Sequence, residues 1–301
     1  MDSQTVTFRQ ALERSVSQMR AANVFCGHGY DSIEDEAVAL VLAAAQLSPD
    51  HGAEVLDDPL PAGALEQLGS FLQERCELRR PVAYITGEAW LAGRRFVADE
   101  RALIPRSPIA EVVCNECAPW WPSAVTPRVI ADVCCGGGSL GILAAETFPD
   151  SQVVLMDLDA DALALAHLNA QHSAAAGRLW CIRADLLTAL PDGCVDLLLA
   201  NPPYVSAEEM RDLPAEYAHE PRLALEADEN GVAIVRRLFH QASRVLSPSG
   251  LLILEVGETQ ETLEAAFPRA SFMWIELCFG GRGVMALSAN ELQDWCRVGI
   301  L

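Results

Sequence analysis

The chain has 301 residues, half of them apolar, and 42 acidic against 21 basic side chains give it a formal net charge of −21. That length argues for two domains with a real core, and no uncharged apolar run approaches the twenty residues of a membrane span. There is no lysine, so every fixed side-chain cation is an arginine; so acidic a surface repels phosphate backbones, argues against direct DNA binding and favours a basic protein partner.

In chain order, the N-terminal stretch MDSQTVTFRQALERS lacks the basic and apolar regions of a signal peptide. The ten cysteines therefore read as reduced thiols of a cytoplasmic protein. Cys114 and Cys117 form a lone C-x-x-C with no second pair at zinc spacing, so no metal is expected. In FRQALERSVSQM, Phe8, Leu12, Val16 and Met19 recur at helical spacing. Ser32-Ile33-Glu34-Asp35 reads as a capping box opening a second helix, AVALVLAAAQL. After the break DDPLPAG a third helix is expected over 63–78. Residues 1–80 thus read as a helical domain for partner recognition or support. The stretch 81–106 mixes aromatic and β-branched residues with turn formers and reads as a β-hairpin or an extended linker, within a connecting region over 81–122.

From residue 123 to 301 strands and helices alternate. RVIADVC, QVVLMD, RLWCIRA, CVDLLLA and GLLILEV read as strands, separated by helices over 138–147, 159–172 and 231–246. A helix over 258–267 then precedes the strand pair FMWIELC and GVMALS. The expectation is an α/β, mostly parallel, doubly wound sheet.

Between the first strand and its helix lies CCGGGSLG, in which Gly136, Gly138 and Gly141 satisfy G-x-G-x-x-G. Asp157 closes the next strand, where a ribose-binding acid is expected. The loop alone is ambiguous between a dinucleotide and another nucleotide-like ligand. Asp132, four residues before Gly136, would repel a pyrophosphate and suits a cation, such as the amino group and sulfonium of S-adenosylmethionine. Asp185, after the third strand, reads alone as a helix N-cap. Beside Asp132, Asp157 and the glycines it reads as an acceptor for an exocyclic adenine amine.

The fourth strand runs into Asn201-Pro202-Pro203-Tyr204. Each proline holds its predecessor extended, and neither has an N–H. The Asn201 side-chain oxygen and the Pro202 carbonyl become two acceptors on a stiff frame, matching the two hydrogens of a planar amino group. Tyr204 supplies a flat wall. An amide nitrogen so held is aligned for methyl transfer without a strong base, and alignment alone can recover roughly 7–11 kcal/mol of barrier.

This set of motifs resembles the class I S-adenosylmethionine-dependent methyltransferases that act on planar amino groups. RRPVAYITGEAWLAGRRFVADERALIPRSPIAEVV and EEMRDLPAEYAHEPRLALEADENG resemble the protein-glutamine methyltransferases. Ser107-Pro108-Ile109 after Pro105-Arg106, together with YAHEPRLAL, resembles the PrmB-type enzymes acting on the third large-subunit (50S) ribosomal protein. The resemblance implies a helical N-terminal domain, a hairpin linker and a Rossmann-like seven-stranded sheet with the last strand reversed. It implies S-adenosylmethionine bound by Asp132, by Cys134, Cys135, Gly136, Gly137 and Gly138 at the methionine end, by Asp157 and Asp185, and beside Asn201. It also implies a glutamine side chain held by Asn201, Pro202, Pro203 and Tyr204, with Asn201, Pro202 and Tyr204 carrying catalysis. Cys135 and Gly137 stand where small hydroxyl residues are common in the family. Arg106 is expected either to anchor the hairpin near the pocket or to form a structural salt bridge, and Glu220 to orient loops. The expected substrate is a free, basic ribosomal protein, met before assembly. The rivals are a release-factor glutamine methyltransferase, an N6-adenine DNA methyltransferase and a non-catalytic ribosome assembly factor.

Overall fold

A computed structural model of the chain describes residues 6–122 and 125–301. The first residues of the N-terminal reading and the expected domain start at 123 lie outside the described residues. Two compact units emerge. One runs to Ala89 and takes in Pro214–His219; the other comprises Trp90–Leu213 and Glu220–Leu301.

The first unit is built on four helices: α1 (Phe8–Ala21), α2 (Ile33–Ala44), α3 (Ala64–Cys76) and α4 (Val82–Thr86). Thr7 caps α1 in a reciprocal box with Gln10. Ser32 caps α2 by accepting the Asp35 N–H at 3.1 Å, but its hydroxyl donates to the Asp35 carboxylate, so the box is not reciprocal. The expected stripe of α1 is rotated. Phe8 and Met19 are buried, yet Ala11 and Ser15 take the inner positions while Leu12 and Val16 are half-buried. Small side chains there let α1 lie close to its neighbours. Within this core Arg75 is wholly buried, donating to Glu36 at 2.7 Å and to Glu216 at 3.0 Å.

Residues 81–106 depart from the expectation in their first third. Pro81 and a left-handed Gly87 bracket the helix α4 in spite of its β-branched residues. The hairpin follows as β1 (Glu88–Leu91) and β2 (Arg94–Val97). Its turn, Ala92-Gly93, is left-handed at both residues, with φ of 50° and 74°, as a two-residue turn between twisted strands requires.

The second unit carries a seven-stranded sheet: β3 (Val129–Val133), β4 (Gln152–Asp157), β5 (Leu179–Arg183), β6 (Val195–Ala200), β7 (Leu246–Glu255), β8 (Met273–Trp274) and β9 (Val284–Ser288). The spatial order is β5-β4-β3-β6-β7-β9-β8. The first five strands are parallel, and β9 runs antiparallel to both β7 and β8. The helices are α5 (Ile109–Cys114), α6 (Ser139–Thr147), α7 (Ala160–Gln171), α8 (Glu209–Asp212), α9 (Arg222–Leu225), α10 (Val232–Val245), α11 (Gln260–Ala266) and α12 (Ala289–Arg297). Alternation along β6 divides the core: Leu197 and Leu199 face one apolar layer, Leu198 and Ala200 the other. This is the α/β, mostly parallel sheet that the alternation of strands and helices predicts, with the last strand reversed as the resemblance implies. The expected strand FMWIELC shortens to the two-residue edge strand β8. Among the described residues no helix is long and apolar enough to cross a membrane.

From β3 the chain winds outward through β4 to β5, then returns to lay β6 on the other flank of β3. That reversal leaves a crevice beyond the carboxyl ends of β3 and β6, where open α/β sheets bind ligands.

Candidate active site

The chain leaves β3 through three left-handed residues, Cys134, Gly136 and Gly138, at φ of 58°, 51° and 80°. Cys134, the non-glycine among them, bears the roughly 1–2 kcal/mol that a Cβ costs in that region. The loop's donors are largely turned inward. Cys135 N–H donates to the Met156 carbonyl at 3.0 Å and Gly138 N–H to the Cys135 carbonyl at 2.8 Å. Gly136 N–H donates to the Asp157 carboxylate at 2.9 Å, and Gly141 N–H to the Asp132 carboxylate at 2.8 Å. From the other side the buried Asn169 amide donates to the Gly137 carbonyl at 3.0 Å and to the Val97 carbonyl at 3.1 Å.

The two carboxylates set the electrostatics. Asp132 is 1% exposed, and burial pushes its carboxyl up to about 7; the Gly141 N–H opposes this and the charge of Asp157 adds to it. Asp157 is raised chiefly by burial, partly offset by N–H donors from Asp159 and Gly136. An anionic pyrophosphate would meet carboxylates already holding the loop's N–H groups, whereas a cation would favour the ionised form of both acids.

A cleft enclosing about 1040 Å³, open solvent at its mouth included, gathers most of the expected residues. Asp132, Cys134, Cys135, Gly136 and Gly137 line one side, with Asp157 and Asp185 beside them. Gly138 lies behind this wall as the cap of α6. Asp185 is half exposed and accepts from Arg237 at 2.5 Å. Asn201 and Pro203 line the cleft from the end of β6. The Asn201 amide and the Pro202 carbonyl make no hydrogen bond to the described residues. Pro202 is buried behind this wall. Tyr204 lies further back. Its hydroxyl donates to Glu255 at 3.3 Å, and its ring rests on Gly257, where a Cβ would come within 2.6 Å of Cε2 and Cζ.

The opposite wall comes from residues 101–107 and the segment after Glu220. Arg106 grips Glu220 with both terminal nitrogens, at 2.6 and 2.7 Å, and Ile104 N–H donates to the same carboxylate at 3.1 Å. The Glu220 side chain has no exposed surface, so the pair fixes this wall. The sequence does not single out Asn169, Glu255 or Arg237, and it marks Ser107 only as part of the Ser107-Pro108-Ile109 resemblance. Each sits inside an ordinary helix, strand or loop pattern, and only the fold brings them to the cleft's shell.

Residues 122–220 match the family model of the methyltransferase small domain. Among solved structures, the catalytic domain of hMettl16, in complex with the MAT2A 3′UTR hairpin 6, has a similar fold. Its TM-score is 0.52 at 14% identity, over 75% of this chain and 81% of that one. The sheet order and the family match define a class I methyltransferase, whose methyl donor is S-adenosylmethionine. More similar in sequence are two proteins named ribosomal protein uL3 glutamine methyltransferase. The one from Francisella tularensis is 38% identical over 96% of this chain and 92% of its own length. That from Bordetella pertussis is 39% identical over 95% and 96%. The chain belongs to the ribosomal protein uL3 glutamine methyltransferase family.

Proposed function

We propose that the chain transfers a methyl group from S-adenosylmethionine to the side-chain amide nitrogen of a glutamine in ribosomal protein uL3, with Asn201 to Tyr204 as the glutamine-binding segment. The observation that carries this reading is the Asn201 amide, unengaged by the described residues and set at the end of β6 in the same cleft as the acids Asp132 and Asp157. The donor set suits the cofactor. Asp132 offers negative charge to its cationic methionine end, Asp157 an acceptor for the ribose hydroxyls, and Asp185 an acceptor further along the cleft for the adenine.

When bound, S-adenosylmethionine supplies an electrophilic methyl group on a sulfonium. The rest falls to the chain. Asn201 Oδ1 and the Pro202 carbonyl accept the two amide hydrogens, which fixes the nitrogen and its approach. The stiffness of Pro202-Pro203 keeps that frame from rearranging. Because the nitrogen sheds its proton only after gaining the methyl carbon, the site needs alignment rather than a strong base.

The helical unit is assigned to partner recognition, and the net charge of −21 suits a basic ribosomal protein met free in the cytoplasm, before assembly, better than an RNA-coated particle. The test is tritium transfer from labelled S-adenosylmethionine into unmodified uL3, with release factor, DNA and assembled large subunits in parallel. Label on a uL3 glutamine is expected, falling by at least about a hundredfold in Asn201→Ala as alignment is lost. Label on release factor or DNA instead would overturn the substrate, and equal labelling of assembled subunits would overturn the timing.

A further inference from the structure

At the carboxyl end of β7 stands an acid that the transfer chemistry above does not use. Ala200 of β6 pairs in register with Leu254 of β7, so Glu255 follows Leu254 as Asn201 follows Ala200, side by side at the edge of the sheet. Its residue is 5% exposed. Burial raises its carboxyl above the usual range, with hydrogen bonds from Ser107 and Tyr204 and the charge of Arg106 opposing. An apolar side chain at the end of a core strand would avoid this desolvation, so the carboxyl calls for a use.

Its hydrogen bonds indicate one. Ser107 Oγ donates to Oε2 at 2.5 Å while accepting the Ile109 N–H at 3.2 Å, so the hydroxyl's single proton is committed to Glu255. Tyr204 OH donates to Oε1 at 3.3 Å. The tyrosine is also confined by backbone. Gly231 lies against its main chain, where a Cβ would be 3.1 Å from Cα, and Gly257 lies under the ring. These contacts limit the ring's position, Gly231 at the main chain and Gly257 at the phenol end. Glu255 gives the hydroxyl at that end a directional acceptor, and Ser107 holds Glu255.

We propose that Glu255 is a positioning residue of the transfer site: braced by Ser107, it fixes Tyr204 and, through it, the Asn201-Pro202-Pro203 frame that holds the substrate amide. This rests on the reading of Asn201 to Tyr204 as the amide-binding segment. A purely structural role, tying the start of α5 to the sheet, would lower stability without acting through Tyr204.

The experiment is a double-mutant cycle on the full chain with Glu255→Gln, Tyr204→Phe and the double variant. It measures kcat and KM for uL3, and S-adenosylmethionine affinity by calorimetry. Glu255→Gln is expected to lower kcat by about tenfold, with cofactor affinity held within about twofold, since misalignment acts on the chemical step. In the Tyr204→Phe background the same substitution should cause no further loss. Losses that multiply, or an unchanged kcat in Glu255→Gln, would overturn the proposal. If Glu255→Gln does not fold, Ser107→Ala takes its place in the cycle with the same expectations. If the wild-type chain labels another acceptor, the reading of uL3 as substrate fails while the cycle, run on that acceptor, still tests the role of Glu255.

Discussion

Replacing Asp132 with asparagine removes a buried charge while keeping the shape and an oxygen to accept the Gly141 N–H. The folded protein pushes the Asp132 carboxyl up from 3.8 to about 7, so it keeps a proton that the unfolded chain has already lost. A group raised in this way contributes stability that is whole below about pH 4 and is lost as pH rises through about 7. At about 1.4 kcal/mol per unit, the interval from 3.8 to about 7 amounts to about 4 kcal/mol. Urea unfolding of wild type and Asp132→Asn, run from about pH 4 to pH 8, should show their difference falling steadily and levelling near pH 7, with the variant the more stable at the alkaline end. Other titrating groups are common to both proteins and cancel. Cofactor affinity should move the opposite way. Ionised Asp132 favours a cationic ligand, so wild-type affinity should rise between about pH 5.5 and pH 7.5, where an α-amino group is still largely protonated. Asp132→Asn should bind more weakly, with a flatter profile. Parallel stability curves would refute the buried charge, and identical binding profiles would refute its role toward the cofactor.

Arg106→Met should destabilise the second unit by about 3 kcal/mol, because it leaves the enclosed Glu220 carboxylate without its fork; pairing it with Glu220→Leu should recover most of the loss in urea titrations. Gly141→Ala gains at most about 1 kcal/mol of helix propensity. Its Cβ would lie 2.2 Å from Leu155 Cδ2, inside the core, and overpacking at about 1–3 kcal/mol should win, lowering the thermal midpoint.

The parallel strands were legible because a strand buried on both faces must be apolar throughout, and QVVLMD and CVDLLLA leave little choice of partner. The edges were harder. α12 was missed although Ser288 and Glu291 form a reciprocal capping box ahead of it; in the polar run ANELQDWCR the inner face is carried by Ala289, Leu292 and Trp295 alone. The PVAYIT stretch carries strand-forming side chains, yet it is helical because Pro81 and Gly87 bracket one turn whose Val82, Ala83 and Tyr84 are buried. Local preference lost there to the packing of a few side chains.

At the site, types and spacings told which residues would meet but not how each would be used. G-x-G-x-x-G satisfies the glycine pattern of a dinucleotide loop equally well. What separates the two uses is the destination of two N–H bonds, those of Gly136 and Gly141, and both end on carboxylates. Once Asp157 and Asp132 hold these donors, the helix start no longer presents them to an anion, and the same acids leave negative charge facing the cleft. The loop is thereby braced and its charge preference inverted by one pair of side chains. In the proposed reading that coupling explains why Asp132 is worth its cost in stability: neutralising it would relieve the folded chain and remove the charge offered to a cationic cofactor.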